Sequence, residues 1–545
     1  MNRLSSSSGS WRGLRLGALF VFALAVCAFY WILPLDFTGL DSGPLIEANR
    51  FESPAGPLAC FAHEVRDHIQ PEVGFYRPFT GLSYGVDYLL HGLNPRYYHL
   101  SDLLLHGAAA VTLFWLLLSL GAPGWGALLG SSWFAVHPLA VEVVPAVARR
   151  ADLWVVFLLL LSCLAWRRRE LGQRGARPLL IVAGLLAPLS KETGLVLPLL
   201  LLGVASPVQR RRALMVGGLL VLPALIARTL VLHGLGGYGH MSFELASLRS
   251  GLGDLVDPVR LGGLWGVRIG LSLLLLLSVL ALLWTPRLKG ASPASSAGDE
   301  SPGPEEEDPT RLLLRFGLSW TALLLLPAAL AEGLSAWYLY APLAGIAAIL
   351  CAFLARPPWG RRWPLRVSLS LLAFVSMWPV WLVSPLFVPY YEWHEVSRQM
   401  KVWRGVMEDL PEEFFQGPQL VAGIPFRVDY PYLRYGRVRS ASCLSDFSLR
   451  AWIRLIRDRD CEPRAAALLK IIYPSSRCAV QVSWLPREKE ARLQAFGPVQ
   501  LVLYDEPHPF TIREQEPDEL LLSDIKYPMW RFNGLRLLKV PLPAP

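Results

Sequence analysis

LGALFVFALAVCAFYWILPL, residues 16–35, runs straight into DFTGLDSGPLIEAN, residues 36–49. The first stretch matches the ~20 apolar residues that a helix needs to cross a bilayer. Arg3, Arg12 and Arg15 precede it. That shape is shared with signal peptides, but no small-x-small cleavage site follows. Leu24-Ala25-Val26-Cys27 is a poor lipobox, because Val26 occupies the small-residue position. The run therefore reads as an uncleaved first span that delivers Asp41 to the opposite face of a membrane.

The rest of the chain has the same character. Of its 545 residues 53% are apolar and 17% charged, with mean hydropathy +0.38, whereas soluble domains carry about 25% charge. Apolar segments recur at about 14–34, 102–121, 124–141, 153–166, 178–190, 193–206, 213–231, 266–285, 312–332, 339–355 and 367–388, which predicts an α-helical polytopic membrane protein with about 11 transmembrane helices. Those between 124 and 206 are short, and read either as tilted spans or as hairpins buried in the bundle. The net charge of +9 is spread over short clusters between apolar segments rather than gathered in one stripe. It does not predict nucleic-acid binding.

Those clusters set the orientation. Arg167, Arg168, Arg169, Arg174 and Arg177, then Arg210, Arg211 and Arg212, then Arg287 and Lys289, then Arg356, Arg361, Arg362 and Arg366 all fall on one side if the N-terminus is cytoplasmic. A first loop at 35–101, a turn at 142–152, a loop at 232–265 and a tail at 389–545 then lie outside. Residues 290–309, rich in Ser, Pro and acid, predict a disordered cytoplasmic linker. The division is a transmembrane domain over 1–388 and an external α+β domain over 389–545. In the tail, helical patterns at 392–407 and 449–456 accompany strand-like runs at 419–424, 479–483 and 499–504. Cys443, Cys461 and Cys478 share this tail, so one disulfide is available with one thiol left over.

Ionisable residues near span ends are costly and tend to face a bundle interior or a wet cavity. Topology places Asp41, Arg77, His99, Asp102, His106, His137, Glu142, Arg149, Arg150, Asp152, Lys191, Glu192 and Arg228 toward the outer side. Each has a structural alternative. Asp41 can cap a short helix, and Arg77 can pair with Glu72. Glu142 can pair with Arg149 or Arg150, and Lys191 with Glu192. His137 can end a span with Pro138, His99 and His106 can be packing residues, and Arg228 can anchor at the interface.

Asp41-Ser42-x-x-Leu45-Ile46-x-x-Asn49 resembles the DDxxxIxxN pattern in the first external loop of GT-C glycosyltransferases, above all the transmembrane O-mannosyltransferases that often carry TPR repeats. Tyr76-Arg77-Pro78-Phe79-Thr80, Gly92-Leu93-Asn94-Pro95, His137-Pro138-Leu139-x-x-Glu142, Arg150-x-Asp152-Leu153, Ser190-Lys191-Glu192-Thr193 and Tyr338-Leu339-Tyr340-x-Pro342 continue the resemblance in order. It covers roughly 20–230 and 337–345. The chain departs from the pattern at Ser42, which replaces the second acid, at Trp337, which replaces an arginine, and in lacking the repeats.

The resemblance implies a GT-C-like fold and transfer of a sugar from a polyprenyl-phosphate donor to a hydroxyl acceptor on protein, glycan or lipid, outside a membrane whose lipids surround the spans. It implies Asp41 as general base, since a partly desolvated carboxylate suits that role. Arg77, Arg150, Lys191 and Arg228 are the implied phosphate-binding cations, with His137 and Glu142 orienting donor or acceptor. Some GT-C enzymes use a divalent metal. Ser42 argues against one here, because hard cations favour several oxygen ligands. A bacterial inner membrane with a periplasmic site is the expected setting; an ER membrane with a luminal site has equivalent topology. A transporter of lipid-linked sugars, which would show repeats with broken helices, and a non-catalytic scaffold are the competing classes.

Overall fold

The computed structural model describes residues 8–51, 56–62, 74–234, 308–330, 336–354, 384–387, 390–429, 441–472, 478–503 and 509–541. The expected segment 266–285, nearly all of 367–388, and residues 290–307 of the expected linker lie outside the described residues. Among the described residues, three helices are long and apolar enough to cross a membrane: Arg12–Ile32, Pro95–Ser119 and Pro207–Leu232.

The helices are α1 (Ser8–Phe29), α2 (Ser42–Asn49), α3 (Pro78–His91), α4 (Pro95–Ser119), α5 (Gly124–Ala135), α6 (Arg150–Glu170), α7 (Ala176–Ser190), α8 (Leu197–Val204), α9 (Arg210–Leu232), α10 (Pro309–Leu330) and α11 (Leu343–Leu354). α4 packs on α1, α5 and α6, and α6 on α7; α10 packs on α8 and α11. The short segments are explained by proline. α5 stops before His137-Pro138, and the chain continues as the 3-10 turns Pro138–Glu142 and Val147–Arg149, because proline removes a backbone donor and disfavours helix in the residue before it. Residues 133–147 are buried throughout. They lie inside the bundle rather than against lipid, so a full crossing length is not required of them.

Among the described residues the tail contains α12 (Tyr391–Glu408), α13 (Asp446–Arg457) and nine strands. β1 (Pro418–Val428), β2 (Glu462–Ile471), β5 (Val499–Val502), β8 (Met529–Phe532) and β9 (Leu537–Lys539) form one sheet in the order β5-β2-β1-β8-β9. β1 is parallel to β2 and β8, and the outer pairs are antiparallel. β3 (Ala479–Leu485), β4 (Glu490–Phe496), β7 (Glu519–Ser523) and β6 (Thr511–Gln515) form an antiparallel sheet in the order β3-β4-β7-β6. Six of these strands, β2, β4, β6, β7, β8 and β9, are not expected from the sequence; most are short or have little alternation, as in β6, which is exposed along its length.

The tail is fastened to the loop that carries Asp41. Arg404 pairs with Asp36 at 3.2 Å, and the Trp393 indole N–H donates to the Val141 carbonyl at 3.0 Å. The Gly39 N–H donates to the Ser442 carbonyl at 3.2 Å. Gly39 takes φ +92°, a conformation that suits glycine, and so turns the chain into α2. Trp452 of α13 lies flat against Gly43, where an added methyl carbon would stand 2.6 Å from its Nε1. Gly43→Ala is therefore expected to overpack this contact and cost about 1–3 kcal/mol. Thermal unfolding of the full chain in detergent checks it, and a melting temperature equal to wild type would contradict this close packing.

Candidate functional site

Asp41 occupies the N-cap position of α2, but its carboxylate makes no capping hydrogen bond. It is half-buried. The next residue, Ser42, is fully buried, and its hydroxyl donates to the Thr38 carbonyl at 2.5 Å. The oxygen that replaces the second acid is thus committed to the turn. Thr38 in turn donates to the Pro145 carbonyl. The turn packs on residues 146–148, since a Cβ on Gly39 would sit 3.3 Å from the Ala148 methyl. Among the described residues no group of three or more His, Cys, Asp or Glu could hold a metal ion.

Arg150, at the start of α6, is 1% exposed. Its Nε donates to Asp102 at 2.6 Å and its Nη1 pairs with Asp87 at 2.6 Å. Nη2 donates to the Tyr98 carbonyl at 3.1 Å, and the guanidinium lies 4.7 Å from the Tyr84 ring centre. Tyr84 donates to the Val147 carbonyl at 2.6 Å. Burial pushes its hydroxyl well above the usual range; Arg150 opposes that rise and Asp102 adds to it, with smaller effects from Arg77 and Asp41. Tyr84 therefore stays a neutral donor that fixes the 147–149 turn.

Arg77 reaches Glu192 with Nε at 3.1 Å and Nη2 at 2.9 Å. Arg228 reaches the same carboxylate at 3.2 Å. Two guanidiniums share one carboxylate. Glu72 lies outside the described residues. Lys191 does not pair with its neighbour Glu192, but with Asp152 at 2.5 Å. In the 3-10 turn Glu192–Val196 adjacent side chains diverge, and Lys191 is held extended before it. Glu192→Gln should leave Arg77 and Arg228 facing each other with one weaker acceptor. The expected loss is about 1–3 kcal/mol, checked by thermal unfolding; an unchanged melting temperature would mean that the carboxylate does not hold the pair.

His137 caps the turn after α5. Its Nδ1 accepts from the Leu139 N–H at 3.1 Å, so the proton belongs on Nε2. Nε2 is buried with no hydrogen-bond partner among the described residues. Glu142 is 3% exposed at the other end of that turn. Arg150 pairs with Asp102 and Asp87 rather than with Glu142. His99 contacts the Asp36 carbonyl at 3.1 Å, and His106 contacts Tyr340 and the Ala135 carbonyl at 2.9 and 3.0 Å. Both are packing residues. Cys443, Cys461 and Cys478 are free and buried, so the disulfide that the sequence left open is not formed among them. Burial pushes the Cys461 thiol up to about 12 and that of Cys478 to about 11.

One group escaped the sequence reading, and another was named there without a substrate role. Asp87 was hidden by its place among apolar residues of α3. Arg149 was overshadowed by Arg150, though successive residues of a helical turn face different ways. The Arg149 guanidinium lies 3.8 Å from the Trp337 ring centre. Trp337 and Tyr338 belong to the 3-10 turn Ala336–Leu339, and the Lys191 ammonium is 5.6 Å from the Tyr338 ring centre. The structure thus brings Arg77, Lys191 and Arg228 toward the 3-10 turn 192–196. The Asp41 turn packs on Ala146 and Ala148, and Arg150 follows that segment at the start of α6.

No family model matches the chain. It is 37% identical over 143 residues to Protein O-mannosyl-transferase Tmtc1 of Drosophila melanogaster, a stretch covering 26% of this chain and 17% of that relative. It is 33% identical over 204 residues to Protein O-mannosyl-transferase TMTC4 of Homo sapiens, covering 32% of this chain and 27% of that one. The chain thus spans no more than 27% of either relative's length. Among solved structures, ArnT from Cupriavidus metallidurans in the apo state aligns over 93% of this chain and 97% of its own, at 12% identity and a TM-score of 0.44. At that score no assignment rests on the likeness. The resemblance read from the motifs is matched by relatives that bear the O-mannosyl-transferase name.

Proposed function

We propose that this integral membrane protein is a GT-C-type glycosyltransferase. It moves a sugar from a polyprenyl-phosphate donor to a hydroxyl acceptor on the external face of the membrane. The acceptor oxygen attacks the anomeric carbon, the bond from that carbon to the phosphate oxygen breaks, and polyprenyl phosphate leaves from the opposite face. This is a single displacement with inversion. Asp41 takes the acceptor proton as general base. Lys191 and the Arg77–Glu192–Arg228 cluster offset the charge that develops on the departing phosphate. The Nε2–H of His137, with Glu142, orients donor or acceptor. Arg150, whose donors go to two carboxylates and to backbone carbonyls, serves as a strut beneath the site rather than a phosphate ligand.

The observation that carries the proposal is the seating of the Asp41 turn on residues 146–148, which places Asp41 beside the segment that leads into α6. The partial similarity to O-mannosyl-transferases supports the same chemistry. In this proposal residues 1–388 are the transmembrane domain, with a cytoplasmic N-terminus. The tail 389–545 lies outside, above the first loop, in the periplasm of a bacterial inner membrane. Its contacts with Asp36, Gly39 and Gly43 suit a role in presenting acceptor to Asp41.

The test supplies the full-length protein in nanodiscs with radiolabelled polyprenyl-phosphate sugars, one at a time, together with membrane protein, glycan and lipid fractions as acceptors. One donor should be consumed with matched release of polyprenyl monophosphate. Consumption of none, with folded protein present, would reject the proposal.

A further inference from the structure

Most cations of the candidate site are already matched by a carboxylate. Arg150 has Asp102 and Asp87, Arg77 and Arg228 share Glu192, and Lys191 has Asp152. Arg149 differs. It is half-buried, and among the described residues its partner is an aromatic face and not an anion. We propose that Arg149, seated on Trp337, is the residue that grips the phosphate of the lipid-linked donor, a role that rests on the glycosyltransferase proposal above and adds a residue to it.

Stacking uses the π-face of a guanidinium and leaves its in-plane N–H donors available. Those donors match two phosphate oxygens at once. A cation–π contact contributes only about 0.5–2 kcal/mol, too little to replace a counter-ion in a partly dry site, so the arrangement favours an incoming anion. The position is fixed from two sides. Tyr84 holds the 147–149 turn through the Val147 carbonyl at 2.6 Å. The Trp337 and Tyr338 rings are 5.7 Å apart and carry Arg149 and Lys191 respectively. The result is two positive groups on neighbouring rings of one turn. Arg149 directly follows Ala148, which touches the Asp41 turn. A phosphate held there lies within the same site as the base.

The test measures binding of radiolabelled polyprenyl monophosphate to the full-length protein in nanodiscs. Unphosphorylated polyprenol, phosphatidylglycerol and inorganic phosphate serve as separate competitors. Arg149→Gln is expected to weaken polyprenyl monophosphate binding about tenfold or more, with polyprenol binding and melting temperature unchanged. Arg149→Lys should recover part of the loss, since a point charge replaces a two-pronged donor. Trp337→Phe should weaken binding less than Arg149→Gln. Should Arg149→Gln fail to fold, Arg149→Lys decides, and affinity equal to wild type would overturn the assignment.

Binding by Arg149→Gln within about twofold of wild type, or equal displacement by phosphatidylglycerol or inorganic phosphate, would also overturn it. In either case a wild type that still consumes a polyprenyl-phosphate sugar leaves the glycosyltransferase proposal standing. A wild type that neither binds the monophosphate nor consumes any donor removes both.

Discussion

Asp41→Asn is expected to lower kcat about 10²–10⁴-fold while leaving the fold intact. That range is the usual contribution of a positioned general base. The substitution separates chemistry from structure because Asn and Asp are equally good at a helix N-cap, and the Asp41 carboxylate makes no capping bond to lose. The neighbouring turn is held by other groups: Ser42 to Thr38, Thr38 to Pro145, and Gly39 to Ser442. Donor KM should change little, since the phosphate is bound elsewhere. The check is transfer kinetics beside a thermal melt. A variant with wild-type kcat would remove Asp41 from the mechanism. A variant that melts far below wild type would make it a structural residue.

Arg150→Met is expected to behave in the opposite way, with loss of folded protein before any question of activity. Its guanidinium is the counter-charge of both Asp102, 0% exposed, and Asp87, 8% exposed. Breaking a buried pair from one side costs about 3–5 kcal/mol, because the orphaned charge stays buried. Here two carboxylates are left, along with the Tyr98 carbonyl. The triple variant Arg150→Met, Asp87→Asn, Asp102→Asn should regain part of the stability, since neutral groups at the same sites avoid that penalty. Folded yield and thermal unfolding in detergent read the effect. An Arg150→Met protein with wild-type melting and only a raised donor KM would return Arg150 to the phosphate site, where the sequence motif first put it.

The contrast between these two residues shows what the chain discloses before it folds. The first span, the Asp41 motif after it, and the break at His137-Pro138 are local. Hydropathy, motif spacing and the missing proline donor place them. Helices at 391–408 and 446–457 follow from periodicity in the same way. Partner choice is not local. Lys191 looks like the natural mate of Glu192, yet it takes Asp152, while Glu192 takes Arg77 and Arg228, 115 and 36 residues away. The topology signal assigns depth to these groups but not azimuth. It therefore could not show that Arg150 is surrounded by carboxylates while Arg149 turns toward Trp337. The departure at Trp337 was visible as a departure, and its meaning needed the guanidinium above it.

The measurement that bears most directly on the central claim is sugar transfer in membranes carrying either wild type or Asp41→Asn, with a panel of radiolabelled polyprenyl-phosphate sugars. The account predicts that one donor passes label into a protein, glycan or lipid fraction with wild type, and that this stops with Asp41→Asn at equal folded protein. No label moved from any donor by well-folded wild type, or equal transfer by both proteins, would contradict it.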